Sequence, residues 1–144
     1  MENTNFDVNA PVKKSNKGAA LVALIAAAVA FVMLFVPIIN EMFVSMSAFD
    51  YGKMAGEFME YSDDAAITAL GFIAFLFTGA LSLLLALIHA FKSSKGLGVA
   101  CGIFSIIATF AGFIFVADLL ETAALAIILP LGYLVCAVAS FIAK

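Results

Sequence analysis

The chain has 144 residues, 65% of them hydrophobic and 12% charged, with a net charge of −3. So apolar a composition excludes an ordinary water-soluble domain, and the length leaves room for one compact domain without a separate soluble catalytic unit. The acidic balance argues against nucleic acid as a partner, and the two cysteines, Cys101 and Cys136, both lie inside apolar runs and offer no extracellular disulfide framework.

Residues 1–17 are polar, rich in asparagine and broken by Pro11, so they are expected to form a disordered tail. Lys13, Lys14 and Lys17 then precede an uncharged run at 18–39, which as a helix would reach about 33 Å and cross a bilayer. That run exceeds the apolar region of a cleavable signal peptide, so no cleavage is expected. Pro37 falls in its last turn, where the missing N–H predicts a bend.

Residues 40–64 form the one sizeable loop. Asp50, Lys53, Glu57, Glu60 and Asp64 are three or four residues apart, which predicts an amphipathic helix with an acidic stripe. Met42, Met46, Phe49, Tyr51, Met54, Ala55 and Phe58 fill the opposite side. Thioethers prefer soft ions, so the methionines raise Cu(I) capture as a minor alternative to plain apolar packing.

Ser62, Asp63 and Asp64 provide a cap and two carboxylates for a second span at 65–91. On it Gly71, Thr78, Ser82 and His89 could line a polar path. A short turn with Lys92 and Lys95 leads to a third span at 97–117, where Gly98, Gly102, Ser105, Thr109 and Gly112 recur at intervals of four, three, four and three. This spacing predicts a groove of small residues for close helix packing. After a brief loop with Asp118 and Glu121, the fourth span covers 123–143, and Pro130 is expected to kink it near mid-membrane.

Sorting the charges by side gives the orientation. With both termini inside, six lysines against Glu2 and Asp7 make the cytoplasmic side +4; eight carboxylates against Lys53 make the outer side −7. The opposite topology would break the positive-inside bias.

His89 is the single histidine, so neither a histidine relay nor a metal cluster is expected, and no hydrolase, metalloprotease or phosphate-cradling motif occurs. No cofactor is implied. The long first outer loop and short second one resemble the general plan of claudins and other tetraspan proteins. Without a tryptophan, and with no cysteine in either loop, the chain carries neither the claudin signature nor the tetraspanin cysteines, and no residue's role transfers.

The expectation is therefore an all-α integral membrane protein, a four-transmembrane-helix antiparallel bundle over 18–144 with an amphipathic extracytoplasmic helix in the first outer loop. Its composition suits a bacterial cytoplasmic membrane. The expected role is non-enzymatic contact with the lipid bilayer and with a membrane or extracytoplasmic protein, or with itself, as an accessory, scaffold or immunity-type component. A channel or small-transporter subunit is the alternative.

Overall fold

The computed structural model describes residues 17–41, 44–92, 94–117, 119–121 and 123–143. Of the expected tail at 1–17, residues 1–16, with Lys13 and Lys14, lie outside them, as do Met42, Asp118 and Lys144, while Lys17 opens the first helix. The chain is mostly helical: α1 (Lys17–Met33), the strands β1 (Pro37–Glu41) and β2 (Val44–Ser47), α2 (Ala48–Phe58), α3 (Asp63–Phe91), α4 (Lys95–Val116), two 3-10 turns (Leu119–Glu121 and Ala124–Ile127), and α5 (Ile128–Ala143). Three helical stretches, Asp63–Phe91, Lys95–Val116 and Ala124–Ala143, are long and apolar enough to cross a membrane, each with a mean hydropathy of 2.4. α1 is a shorter apolar helix of 17 residues, about 25 Å at an ordinary helical rise.

α1 ends six residues before the boundary expected from hydropathy. The N–H groups of Leu34, Phe35 and Val36 donate to the carbonyls of Phe31, Val32 and Met33, a tightening that closes the helix. Pro37 therefore does not bend a last turn; it opens a strand, as suits a residue without an N–H among β-branched neighbours. β1 pairs antiparallel with β2, Ile39 opposite Met46 and Asn40 opposite Ser45, with an irregularity between Pro37 and Ile39. Side chains normally alternate along a strand; the irregularity lets consecutive Ile38 and Ile39 both be buried.

This ribbon corrects the expectation of one helical repeat running through Met46. The helix begins only at Ala48, where Ser47 and Asp50 form a reciprocal capping box: the Asp50 N–H donates to Ser47 Oγ at 3.2 Å, and the Ser47 N–H donates to the Asp50 carboxylate at 3.4 Å. The Phe49 N–H also donates to the Leu34 carbonyl at 2.9 Å and ties the start of α2 to the end of α1. A chain of ring contacts, Phe35 to Phe49, Phe49 to Phe72, and Phe72 to Phe115, with centroids 5.0 to 5.5 Å apart, then seats α2 on α3 and α4.

Ser62 caps α3, its Oγ accepting from the Ala65 N–H at 3.3 Å. α3 packs on α4, α4 on α5, α5 on α1, and α1 on α3, closing a ring of helix contacts. Small residues permit the approach. The buried face of α1 is Ala20, Ala23, Ala27 and Ala30, and Gly132 of α5 sits where a Cβ would lie 2.6 Å from Ala30 Cβ. On α3, a Cβ at Gly71 would lie 3.0 Å from the Phe115 backbone nitrogen of α4. In lipid, where apolar burial drives little association, such van der Waals contact holds helices together.

Pro130 does not interrupt a continuous fourth helix. It is the third residue of α5, a first-turn position whose N–H would be unpaired anyway. The preceding residues follow a tighter 3-10 path, and the Ala126 carbonyl accepts from the Ile128 N–H. The change of helix type falls before the proline.

Candidate functional site

Two regions gather polar side chains together. The first is the acidic segment. Asp50, Glu57, Glu60 and Asp64 are all exposed, but they do not form one helical stripe. α2 stops at Phe58, so Glu60 falls in the following turn and Asp64 in the first turn of α3, while Asp50 is engaged with Ser47. Gly52 explains the close seating of α2, because any Cβ there would overlap the Phe72 ring; at Gly56, on the same helix, nothing lies within 4 Å. Lys53 Nζ lies 5.9 Å from the centre of the Phe49 ring. A shallow cleft of about 210 Å³ runs between α2 and the start of α3, lined by Tyr51, Met54, Ala55, Phe58, Asp64 and Thr68. Beside it Phe58, Met59 and Tyr61 are exposed, Tyr61 to 81%. The segment thus presents aromatic and thioether surface among carboxylates.

The second region is enclosed by α3, α4 and α5. Gly98, Gly102, Ser105, Thr109 and Gly112 are all buried on α4, and at Gly102 and Gly112 the chain's own side chains fill the space. A Cβ at Gly102 would lie 2.7 Å from the Phe141 ring of α5, and one at Gly112 would lie 3.0 Å from the Phe75 ring of α3 and 3.1 Å from Pro130. Thr109 donates to the Ser105 carbonyl at 2.8 Å. This stripe leaves no open groove for a partner.

Gly71, Thr78, Ser82 and His89 do not share a path. Gly71 meets the α4 backbone, and Thr78, half-buried, donates to the Ala74 carbonyl of its own helix at 2.6 Å. Ser82 is fully buried and touches Ser105. His89 is buried, and neither of its ring nitrogens has a hydrogen-bond partner; the buried Tyr133 hydroxyl, close against Gly79, has none either. The rings of Phe75 and Tyr133 are 5.3 Å apart, and the Tyr133 ring lies against Gly79.

The packing also makes a group that sequence reasoning did not assemble. Cys101 and Cys136 bring their sulfurs to 3.9 Å, surrounded by Ser82, Ser105 and Ser140. Cys101 with Ser105, and Cys136 with Ser140, each recur at four residues, a helical spacing that marks one face of each helix. That periodicity was available in the chain; the pairing of the two faces was not. Among the described residues no three of His, Cys, Asp or Glu come together as a metal-binding group. Comparison with family models, with curated proteins and with solved structures found no match for this chain.

Proposed function

We propose that the protein is a four-span antiparallel bundle of a bacterial cytoplasmic membrane, with both termini and the Lys92–Lys95 turn inside and the ribbon and α2 outside. Its role on this reading is non-enzymatic: it binds a partner protein through the acidic and aromatic surface formed by α2 and the start of α3. The charge asymmetry between the two ends supports the orientation. Exposed apolar side chains such as Leu21, Ile25, Phe77, Leu84, Phe110 and Val135 support a lipid environment around the helices.

The observation that carries the docking reading is the exposure of Phe58 and Tyr61 beside Glu57, Glu60, Asp63 and Asp64, on a segment held in place by its own caps and ring contacts. Aromatic side chains supply binding area at small entropic cost, and a carboxylate surround selects a basic partner and raises its association rate. Anionic lipid would be repelled by the same charges, which favours a protein over the membrane surface as occupant.

The test is a fourfold Glu57, Glu60, Asp63 and Asp64→Lys chain, with Asp50 kept because it caps α2, compared with the parent by crosslinking in native membranes and by ion flux in liposomes. Loss of a crosslinked partner, with insertion unchanged, supports docking, and the parent's crosslink should weaken as salt shortens the Debye length below about 8 Å. An altered flux instead supports the alternative, a channel or small-transporter subunit made by several copies. No change in either assay removes this surface from the function.

A further inference from the structure

The cleft between α2 and the start of α3 has two chemically different walls. Tyr51, Met54, Ala55 and Phe58 line it from α2, and Asp64 and Thr68 line it from α3. Positions 51, 54, 55 and 58 share one face of α2, and positions 64 and 68, four apart, share one face of α3. Carbon and sulfur therefore face oxygen acceptors. Gly52 lets α2 seat this closely, since a Cβ there would overlap the Phe72 ring of α3. Thr68 points to an occupant. It is only 5% exposed, and its hydroxyl makes no hydrogen bond among the described residues. Thr78 and Thr109, by contrast, each donate to the carbonyl four residues back. Nor is the Thr68 hydroxyl sealed in, as the Tyr133 hydroxyl and the His89 nitrogens are; it opens into the cleft that Thr68 lines. Asp64, on the same wall, has no ion-pair partner among the described residues. Lys53, the basic residue of α2, lies over the Phe49 ring and is not part of the lining. Resting on the docking reading above, we propose that the cleft receives one arginine side chain of the partner protein, its guanidinium held by the Asp64 carboxylate and the Thr68 hydroxyl.

Size sets the scale of the occupant. Sites for whole small molecules run to about 300–1,000 Å³, so a cleft of about 210 Å³ suits a single side chain. The lining sets its chemistry. A guanidinium is planar and weakly hydrated, with N–H donors along its edge and faces that stack on aromatic rings. Between these walls it can turn its edge to Asp64 and Thr68, which both accept, and a face to Tyr51 or Phe58. Its apolar stem then lies along Met54 and Ala55, the contact that long cationic side chains make with apolar surface. A lysine ammonium matches less well, being a strongly hydrated point charge with no face to stack. Glu57, Glu60 and Asp63, all exposed and close to these residues in the chain, draw a cation toward the cleft. The occupant belongs to a different protein. The 144 residues include no arginine, and of their lysines only Lys53 falls on this side in the proposed orientation, so a second copy has little to offer the cleft.

The experiment titrates the purified full chain, in discs of neutral lipid, with short peptides that carry an uncharged fluorophore and differ only in a central arginine, lysine or citrulline. Citrulline keeps the planar shape and loses the charge. By fluorescence anisotropy the parent should bind the arginine peptide roughly 10-fold tighter than the citrulline peptide, the scale of a hydrogen bond to a charged group. The lysine peptide should fall between them. Asp64→Asn should weaken arginine binding roughly 10-fold and Thr68→Val roughly 3-fold, as loss of a charged and a neutral hydrogen bond does. Glu57→Gln with Glu60→Gln should weaken the arginine and lysine peptides alike and leave their ratio unchanged, because those carboxylates act by charge alone. Equal binding of the arginine peptide and either other peptide by the parent overturns the site, and that comparison needs no variant to fold. So does an Asp64→Asn chain that keeps full arginine binding. The docking reading fails separately: it falls if the fourfold Glu57, Glu60, Asp63 and Asp64→Lys chain keeps its crosslinked partner in native membranes. A crosslink lost in that chain but kept by a double Asp64→Asn, Thr68→Val chain leaves docking standing and removes the arginine cleft.

Discussion

Gly132→Ala tests the close contact between α1 and α5. The added Cβ would stand 2.6 Å from Ala30 Cβ and 3.1 Å from the Ala26 carbonyl oxygen. Neither neighbour can turn aside, since one is fixed to the backbone and the other is backbone. Carbon atoms pack at about 3.5–4.0 Å, so α1 and α5 must separate by roughly 1 Å, enough to forfeit a quarter to a half of each contact along the Ala20, Ala23, Ala27 and Ala30 face. Overpacking of this kind costs about 1–3 kcal/mol, while alanine's better helix propensity returns about 0.5–1 kcal/mol. A net loss of about 1–2 kcal/mol is expected. Gly56→Ala, where nothing lies within 4 Å, should instead be neutral or stabilise by up to about 1 kcal/mol. Cys101 and Cys136 are fully buried, so reaction with a thiol-activated fluorophore during a thermal ramp in detergent reports unfolding directly. If Gly132→Ala melts with the parent, α1 does not pack on α5 through this face.

Two further outcomes are expected. Tyr133→Phe removes a buried hydroxyl that has no hydrogen-bond partner; since leaving such a group unpaired costs about 1–3 kcal/mol, the variant should gain about 1 kcal/mol in the same melt, and a loss would mean that the hydroxyl is bonded in solution. In a Cys101→Ala, Cys136→Ala background, Gly56→Cys should label with an impermeant maleimide from outside intact cells and Ser94→Cys should not; the reverse pattern overturns the orientation.

What the sequence determines by itself is whatever depends on neighbours along the chain. Uncharged runs longer than the bilayer is thick mark α3, α4 and the last helical stretch, because a backbone in lipid must satisfy its own hydrogen bonds. Small residues at helical spacing mark the buried face of α4, and Ser62 marks the start of α3. The pattern Ser47-Ala48-Phe49-Asp50 was also legible as a helix start and would have separated the ribbon from α2, but a continuing three-and-four spacing of methionine and phenylalanine masked it. Hydropathy overran the end of α1 for a related reason: it counts Leu34 to Ile39 as apolar whether they coil or extend, whereas Leu34 to Val36 turn the chain out of the helix and Pro37–Glu41 pairs with β2.

The candidate sites divide the same way. That Glu57, Glu60 and Asp64 are exposed could be read from their chemistry; that Phe58 ends the helix beneath them could not. The thiol pair was decided entirely by tertiary structure. Cys101 and Cys136 lie 35 residues apart on different helices, and whether their faces meet depends on how α4 and α5 are rotated about their axes. That rotation is set by where Phe141 settles over Gly102 and where Phe75 and Pro130 settle over Gly112. Periodicity defines a face on each helix, but a face carries no information about its partner until packing brings the two together.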